Sequence, residues 1–254
     1  MKSAKKIVFK IVLFLGIGLN AYGYDDSYYC SRPIPLGAGL GIGVYGSFHT
    51  VFFNVRDKET TIPIPGENSF RYLERYDTVQ QAPGGGLFLS YGCTFCNRFV
   101  ATIRADALAL ASSAEHAYVE QDDQQNTLHE VGLRGILDLS FQPGFLIGNC
   151  ALAYFKAGGT IGWVKEKAWI KRSGPPYDVI DKKTKRHYPG GYVLGGGADF
   201  LLMKCFSLFM EYDWRSYISQ LSSLGTVDSD IFTLDTRVTT LHTSSFSFGL
   251  ILRF

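Results

Sequence analysis

The amino-acid sequence predicts an all-β fold: a transmembrane antiparallel up-and-down β-barrel of eight strands, with short turns at one end and long loops at the other. Three observations carry this. The segment Ser244–Phe254 alternates strictly, with Phe246, Phe248, Leu250, Leu252 and Phe254 on one face and Ser245, Ser247, Gly249, Ile251 and Arg253 on the other. That is the period-two pattern of a strand with hydrocarbon outside and a filled polar lumen inside. Lys2, Lys5 and Lys6 precede a short apolar run, Ile11–Leu19, and Ala21-Tyr22-Gly23 offers small residues where a signal peptidase reads. Finally, 15% aromatics and 28 glycines against 3 methionines suit twisted strands better than a helical bundle.

The elements follow in order. Residues 1–23 are expected to be a signal peptide, because Lys10 interrupts the leading apolar run and leaves it short of the roughly 20 residues a spanning helix needs. Residues 24–36 are read as a periplasmic N-terminal segment, and 37–254 as the outer-membrane barrel. Cys30 follows Ser27-Tyr28-Tyr29, which lacks the apolar and small residues of a lipid-attachment site. Period-two reading places strands near 37–53, 84–95, 98–111, 128–142, 150–165, 190–203, 205–218 and 243–254. Three connections are tight: Cys96-Asn97-Arg98, Gln142–Asn149 and Met203-Lys204-Cys205. Four are long and polar: 54–83, 112–127, 166–189 and 219–242. Such sorting of loops by side is expected of a membrane barrel with both termini in the periplasm. A soluble lipocalin-like binder would not need apolar outer faces.

The faces separate strand by strand. Leu40, Ile42, Val44 and Phe48 oppose Gly39, Gly41, Gly43, Tyr45, Ser47 and His49. Val131, Leu133, Leu137, Leu139 and Phe141 oppose Glu130, Arg134, Asp138 and Ser140. Phe155, Ala157, Ile161 and Trp163 oppose Tyr154, Lys156 and Thr160, and Met210, Tyr212 and Trp214 oppose Ser207, Glu211, Asp213 and Arg215. The inward set then holds Arg104, Asp106, Glu130, Arg134, Asp138, Lys156, Asp199, Glu211, Asp213 and Arg215. An eight-stranded barrel is just wide enough for its own side chains, and charges buried there must pair. The expectation is a lumen plugged by a charge network; the alternative is a narrow channel for small solutes or ions, like the OmpW-type barrels.

Two stretches carry a family resemblance. Gly190-Gly191-Tyr192-Val193-Leu194-Gly195-Gly196-Gly197-Ala198-Asp199-Phe200, followed after a short turn by Phe209-Met210-Glu211-Tyr212-Asp213-Trp214-Arg215-Ser216-Tyr217, resembles the paired strands of the small OmpA-like and opacity-type outer-membrane barrels. There a glycine-rich strand with an inward acid precedes an acid-tyrosine strand. The resemblance implies an outer-membrane protein with a structural and surface-presenting role, adhesion or ligand binding through its loops. It also implies that the row ending at Phe254 is a signal to the β-barrel assembly machinery. The loops are longer than the family norm, and five cysteines are more than such barrels carry.

No enzyme is expected. His242-Thr243-Ser244 has the His-x-Ser spacing of outer-membrane deacylases but no acid follows it, and His116, Glu120, Asp122 and His129 match no spacing of the omptin proteases. Gly39-Leu40-Gly41-Ile42-Gly43 has no following helix, so it is no nucleotide loop. A balance of 25 basic to 23 acidic residues argues against nucleic acid, and no cofactor or metal is expected. From Lys165 to Arg186 the chain holds eight Lys or Arg against Glu166, Asp178 and Asp181, with Trp169, Tyr177 and Tyr188 interleaved. Lys182, Lys183, Lys185 and Arg186 are the expected anion-binding loop, for lipopolysaccharide phosphates or surface glycans of a host. The cysteines Cys30, Cys93, Cys96, Cys150 and Cys205 all map to the periplasmic side, where oxidation favours bridges. Five is odd, so one thiol is expected to stay free or link to another envelope protein.

Overall fold

A computed structural model describes residues 36–61, 71–95, 98–112, 114–119, 125–148, 150–172, 179–203, 205–218, 227–228 and 232–254. The expected signal peptide, Cys30 and Cys96 lie outside them. The strands are β1 (Gly39–Thr61), β2 (Arg71–Phe95), β3 (Phe99–Leu110), β4 (Ala114–Val119), β5 (Gln125–Ile147), β6 (Ala151–Arg172), β7 (Val179–His187), β8 (Gly190–Met203), β9 (Phe206–Tyr217), β10 (Val227–Asp228) and β11 (Phe232–Arg253). Eight of them close a ring in the order β1-β2-β3-β5-β6-β8-β9-β11, every pairing antiparallel. The seam between first and last staves runs from Gly41↔Arg253 upward, and Leu40 and Phe254 exchange backbone hydrogen bonds of 3.2 and 2.8 Å at its foot. Both ends of the ring and the three tight turns share one end, the turn end.

Alternation sends one row of each stave out and one in. Outward lie Val44, Phe48, Leu87, Ile103, Leu137, Leu139, Phe155, Leu194, Phe246 and Phe248, all exposed. Inward lie Ser47, His49, Thr102, Arg104, Ser140, Thr160, Ser245 and Ser247, all buried. Aromatics flank the belt: Tyr91, Phe95, Phe99 and Phe145 near the turns, and Trp163, Tyr188, Tyr192 and Trp214 at the other end. An apolar band between aromatic girdles is the surface a bilayer requires. On the third stave Arg104 and Asp106 face in, as expected from the sequence, while the alanines face out.

Three findings differ from the sequence expectations. The strands outrun their predicted limits, so much of 54–83, 112–127, 166–189 and 219–242 is β-ladder: β1 and β2 stay paired to Thr60↔Arg71, and β5 and β6 to Gln125↔Arg172. Polar residues on both faces hid this period. Next, β5 carries an extra residue at Arg134, where the register to β6 shifts between Leu133↔Val164 and Gly135↔Trp163. A bulge of one residue exchanges the faces beyond it, so Val131 and Leu133 turn inward, and Glu130 pairs across the ladder with Lys167 on the outer wall. The assignment of Glu130 and Arg134 to the lumen is therefore corrected. Lastly, the mouth at the turn end is stopped by Leu36, buried against Val100 and Leu152. Gly37, at φ 79°, makes the bend and accepts a hydrogen bond from Thr102 Oγ1 at 3.0 Å; a Cβ there would stand 2.5 Å from Val100.

Beyond the belt the ring divides. Pro83 accepts a hydrogen bond from Ala111 N at 3.2 Å but has no N–H to return, so the β2–β3 ladder ends there. Past that point β4 pairs with β5 and β7 with β6, while β10 and β11 stay with β1 and β2. Among the described residues no ladder joins these two sheets.

The cysteines are partly as expected. Cys205 is in a disulfide whose partner lies outside the described residues, whereas Cys93 and Cys150 are free and exposed. Cys93 shares the outward row of Tyr91 and Phe95, and Cys150 sits in the β5–β6 turn. These two are not bridged, contrary to their nomination as disulfide candidates. Maleimide is expected to label Cys93 and Cys150 before reduction and Cys205 only after it; labelling of Cys205 in unreduced protein would refute the bridge. Arg placed at Leu137 or Ile161, cross-strand partners in the belt, is expected to cost about 2–4 kcal/mol of folding into phospholipid vesicles. Arg at Thr184, outward but beyond the belt, is expected to cost far less in the same titration.

Candidate functional site: the lumen charge network

Eight of the ten nominated charges meet inside the barrel. Lys156, on β6, is the hub: its Nζ lies 2.7 Å from Glu211, 2.9 Å from Asp213, 3.7 Å from Asp106 and 4.0 Å from Asp138. Arg104 binds Asp106 at 2.6 Å and Glu211 at 3.2 Å. Arg215 reaches Asp138 and Asp213, both at 2.7 Å, and donates to Ser245 Oγ at 2.8 Å. Tyr154 donates its hydroxyl to Glu211 at 2.9 Å. Every side chain of this ion-pair set is almost fully buried.

Sequence reasoning left out Arg253, whose guanidinium pairs with Asp199 at 2.5 Å near the turn end. The alternation that put Arg253 opposite the apolar row already marked it as inward. Also left out was Glu166, fully buried and 2.9 Å from His187 Nε2 in the upper lumen. Glu130 binds Arg134 at 3.0 Å and also Lys167, all on the outer wall.

Packing fixes the network in place. The Arg104 guanidinium lies 3.6 Å over the Phe88 ring and 4.9 Å from that of Phe209, and these rings meet edge to face at 5.3 Å. A guanidinium held on a ring face keeps favourable electrostatics where water is excluded. Glycines clear the space: a Cβ on Gly43 would enter the Phe88 ring, one on Gly195 would strike Asp213, and one on Gly197 would stand 2.7 Å from the Tyr154 hydroxyl.

The lumen is layered along its axis. At the turn end Leu36, Val100 and Leu152 form an apolar stopper. Above it a cavity of about 10 Å³ is lined by Gln142, Tyr154, Asp199 and Arg253, room for about one water. The ion pairs and aromatics follow. Over them Val51, Phe53, Leu108, Leu133, Ile136, Val164 and Leu241 pack into a second apolar layer. A solute crossing this barrel would have to force open both apolar layers and strip buried ion pairs of their partners.

Among the remaining nominated residues, His242 faces out and stacks on Trp214, centroids 5.9 Å apart, and Ser244 shares that outward row. His116 and His129 are register partners whose side chains, like Glu120 and Asp122, lie outside the described residues. Lys185 and Arg186 belong to opposite faces, since Lys185 pairs in register with the buried Glu166 and Arg186 with the outward Lys165. Lys182 and Lys183 pair in the β6–β7 ladder with Trp169 and Ala168, their side chains outside the described residues. Strand alternation therefore separates Lys185 from Arg186. The row Phe246, Phe248, Leu250, Leu252 and Phe254 runs down the outer wall as expected, with Leu252 partly covered.

No family model matches the chain, and no curated protein matches it significantly. Solved structures do. The attachment invasion locus protein Ail of Yersinia pestis, determined with the heparin analogue sucrose octasulfate, is 12% identical, with 82% of this chain and 99% of that one covered and a TM-score of 0.34. The outer membrane protein OprG of Pseudomonas aeruginosa is 14% identical over 86% and 97%, TM-score 0.34. Neisserial surface protein A is 11% identical over 82% and 97%, TM-score 0.33. Likenesses this distant decide nothing about what the present chain binds.

Replacing Lys156 with Met is expected to destabilise the barrel by about 3–5 kcal/mol, since four carboxylates would lose their common cation in a desolvated site. Ala157→Met, one residue on and facing out, is the control and is expected to be nearly neutral. Urea titration of protein refolded in vesicles measures both; equal stability of the two variants would contradict the hub role.

Proposed function

We propose that the protein is an outer-membrane barrel of the small OmpA-like and opacity-type kind. In this reading it acts without enzymatic activity, as a closed barrel that holds a β-rich surface structure outside the cell. The observation that carries this is the layered lumen: two apolar stoppers enclose a paired charge network, and the strands continue past the belt into two sheets. The apolar belt and its girdles support the bilayer setting, with the turn end and both termini in the periplasm. The outward row down to Phe254 supports recognition by the assembly machinery. The basic strand and the aromatics beyond the belt suit surface glycans as well as lipopolysaccharide. Exposed Cys93 and Cys150 at the turn end suit a disulfide to a neighbouring envelope protein.

Planar-bilayer recordings test the sealed lumen. The folded protein is expected to be silent; reproducible discrete conductance steps would overturn the plug in favour of the solute channel. Orientation has its own test. A Thr184→Cys variant, at an exposed position beyond the belt, is expected to react with a membrane-impermeant maleimide on intact cells, while Cys93 and Cys150 stay unlabelled until the outer membrane is opened. The reverse pattern would invert the topology.

A further inference from the structure

The bulge at Arg134 places a row of cations on the outside of the barrel at one height. On β6 the outward positions run Ile161, Trp163, Lys165, Lys167. Trp163 and Tyr188 close the aromatic girdle in this sector, and Lys165 stands two residues, about 7 Å, beyond Trp163. Directly across the ladder from Lys165 is Arg186. On its other side is Gly132, which contributes no side chain; the Arg134 side chain crosses that space, its Nε 3.3 Å from where a Gly132 Cβ would be. Arg134 and Lys167 share the carboxylate of Glu130, and Glu115 holds the register position opposite Glu130. Lys165 and Arg186, in contrast, pair with no carboxylate among the described residues.

Like charges directly opposed on a ladder repel and destabilise the sheet. A Lys–Arg pair kept in that arrangement, beside a third cation and immediately above an aromatic girdle, calls for an anion from outside the chain. In a bilayer the aromatic girdle marks the interface, so the row above it meets the headgroups. We infer that Lys165 and Arg186, flanked by Arg134, bind the phosphate of an anionic glycolipid in the outer leaflet. This site is on the barrel wall, takes Arg186 alone from the four cations of the basic loop read from the sequence, and rests on the outer-membrane reading above. The guanidinium of Arg186 supplies a planar fork for two phosphate oxygens, and the ammonium of Lys165 a point charge for the third.

The test compares thermal unfolding of the full-length protein in nanodiscs of phosphatidylcholine alone, with bisphosphorylated lipid A, and with dephosphorylated lipid A. Wild type is expected to gain melting temperature with the phosphorylated lipid only. Lys165→Glu is the decisive variant, because it converts the opposed pair into an ion pair. It is expected to be at least as stable as wild type in phosphatidylcholine and to lose the gain from phosphorylated lipid A. Arg98→Gln, an exposed cation at the turn end, should keep that gain. An undiminished gain in Lys165→Glu, or an equal gain with dephosphorylated lipid A, would overturn the site. The same gain from inorganic phosphate in phosphatidylcholine discs would overturn the lipid as ligand. Failure of wild type to insert into any bilayer would instead refute the membrane reading on which the proposal stands.

Discussion

Everything in this molecule follows from the need of a sheet in hydrocarbon to leave no backbone group unpaired. Closure by the β1–β11 seam meets that need and at once creates two surfaces with opposite rules. Outside, a side chain meets lipid and any large apolar residue suffices, which is why Leu, Phe and Ile interchange along the belt. Inside, eight staves leave a bore that side chains fill, and each inward residue is constrained by several others. Strict period two is the signature of that division, and it is legible wherever both rules apply at once.

Filling the bore with charge is costly unless the charges answer one another. Around Lys156 the protein solves this with cations that each serve several carboxylates, so that the removal of any one cation strands more than one of them. Arg104 adds aromatic faces to its carboxylates. The glycines at Gly43, Gly195 and Gly197 are the complement of this arrangement: Phe88, Asp213 and Glu211 each have a glycine beside them on the next stave. The apolar layers at Leu36 and Phe53 lie on either side of the network, and in such low-dielectric surroundings its attractions are strengthened.

The eight staves, their faces around the charge network and the sorting of connections were readable because polar and apolar residues alternate there. Reading failed where that contrast is lost. Val131 and Leu133 are apolar and buried, yet so would they be on a lipid face; nothing in the sequence distinguishes an apolar stopper from an apolar belt, and the single residue inserted at Arg134 leaves no mark of its own. Beyond Val55 the chain is polar at every position to Thr61, and beyond Lys167 the apolar Ala168, Trp169 and Ile170 are consecutive, so neither stretch alternates and continued strand resembles loop. Leu36 and Gly37 act through one contact and one left-handed turn, which have no period at all. Arg253 was visible in the alternation, but only the fold supplies its partner Asp199.

Pro83 has a consequence that reaches past stability. Because a residue without an N–H stops the β2–β3 ladder at the edge of the belt, β1, β2, β5, β6 and β11 run on above it in two separate sheets and no longer in one closed ring. Insertions or deletions at their tips re-register no inward residue below. The upper sheets can thus differ in length while the closed ring below them keeps its register.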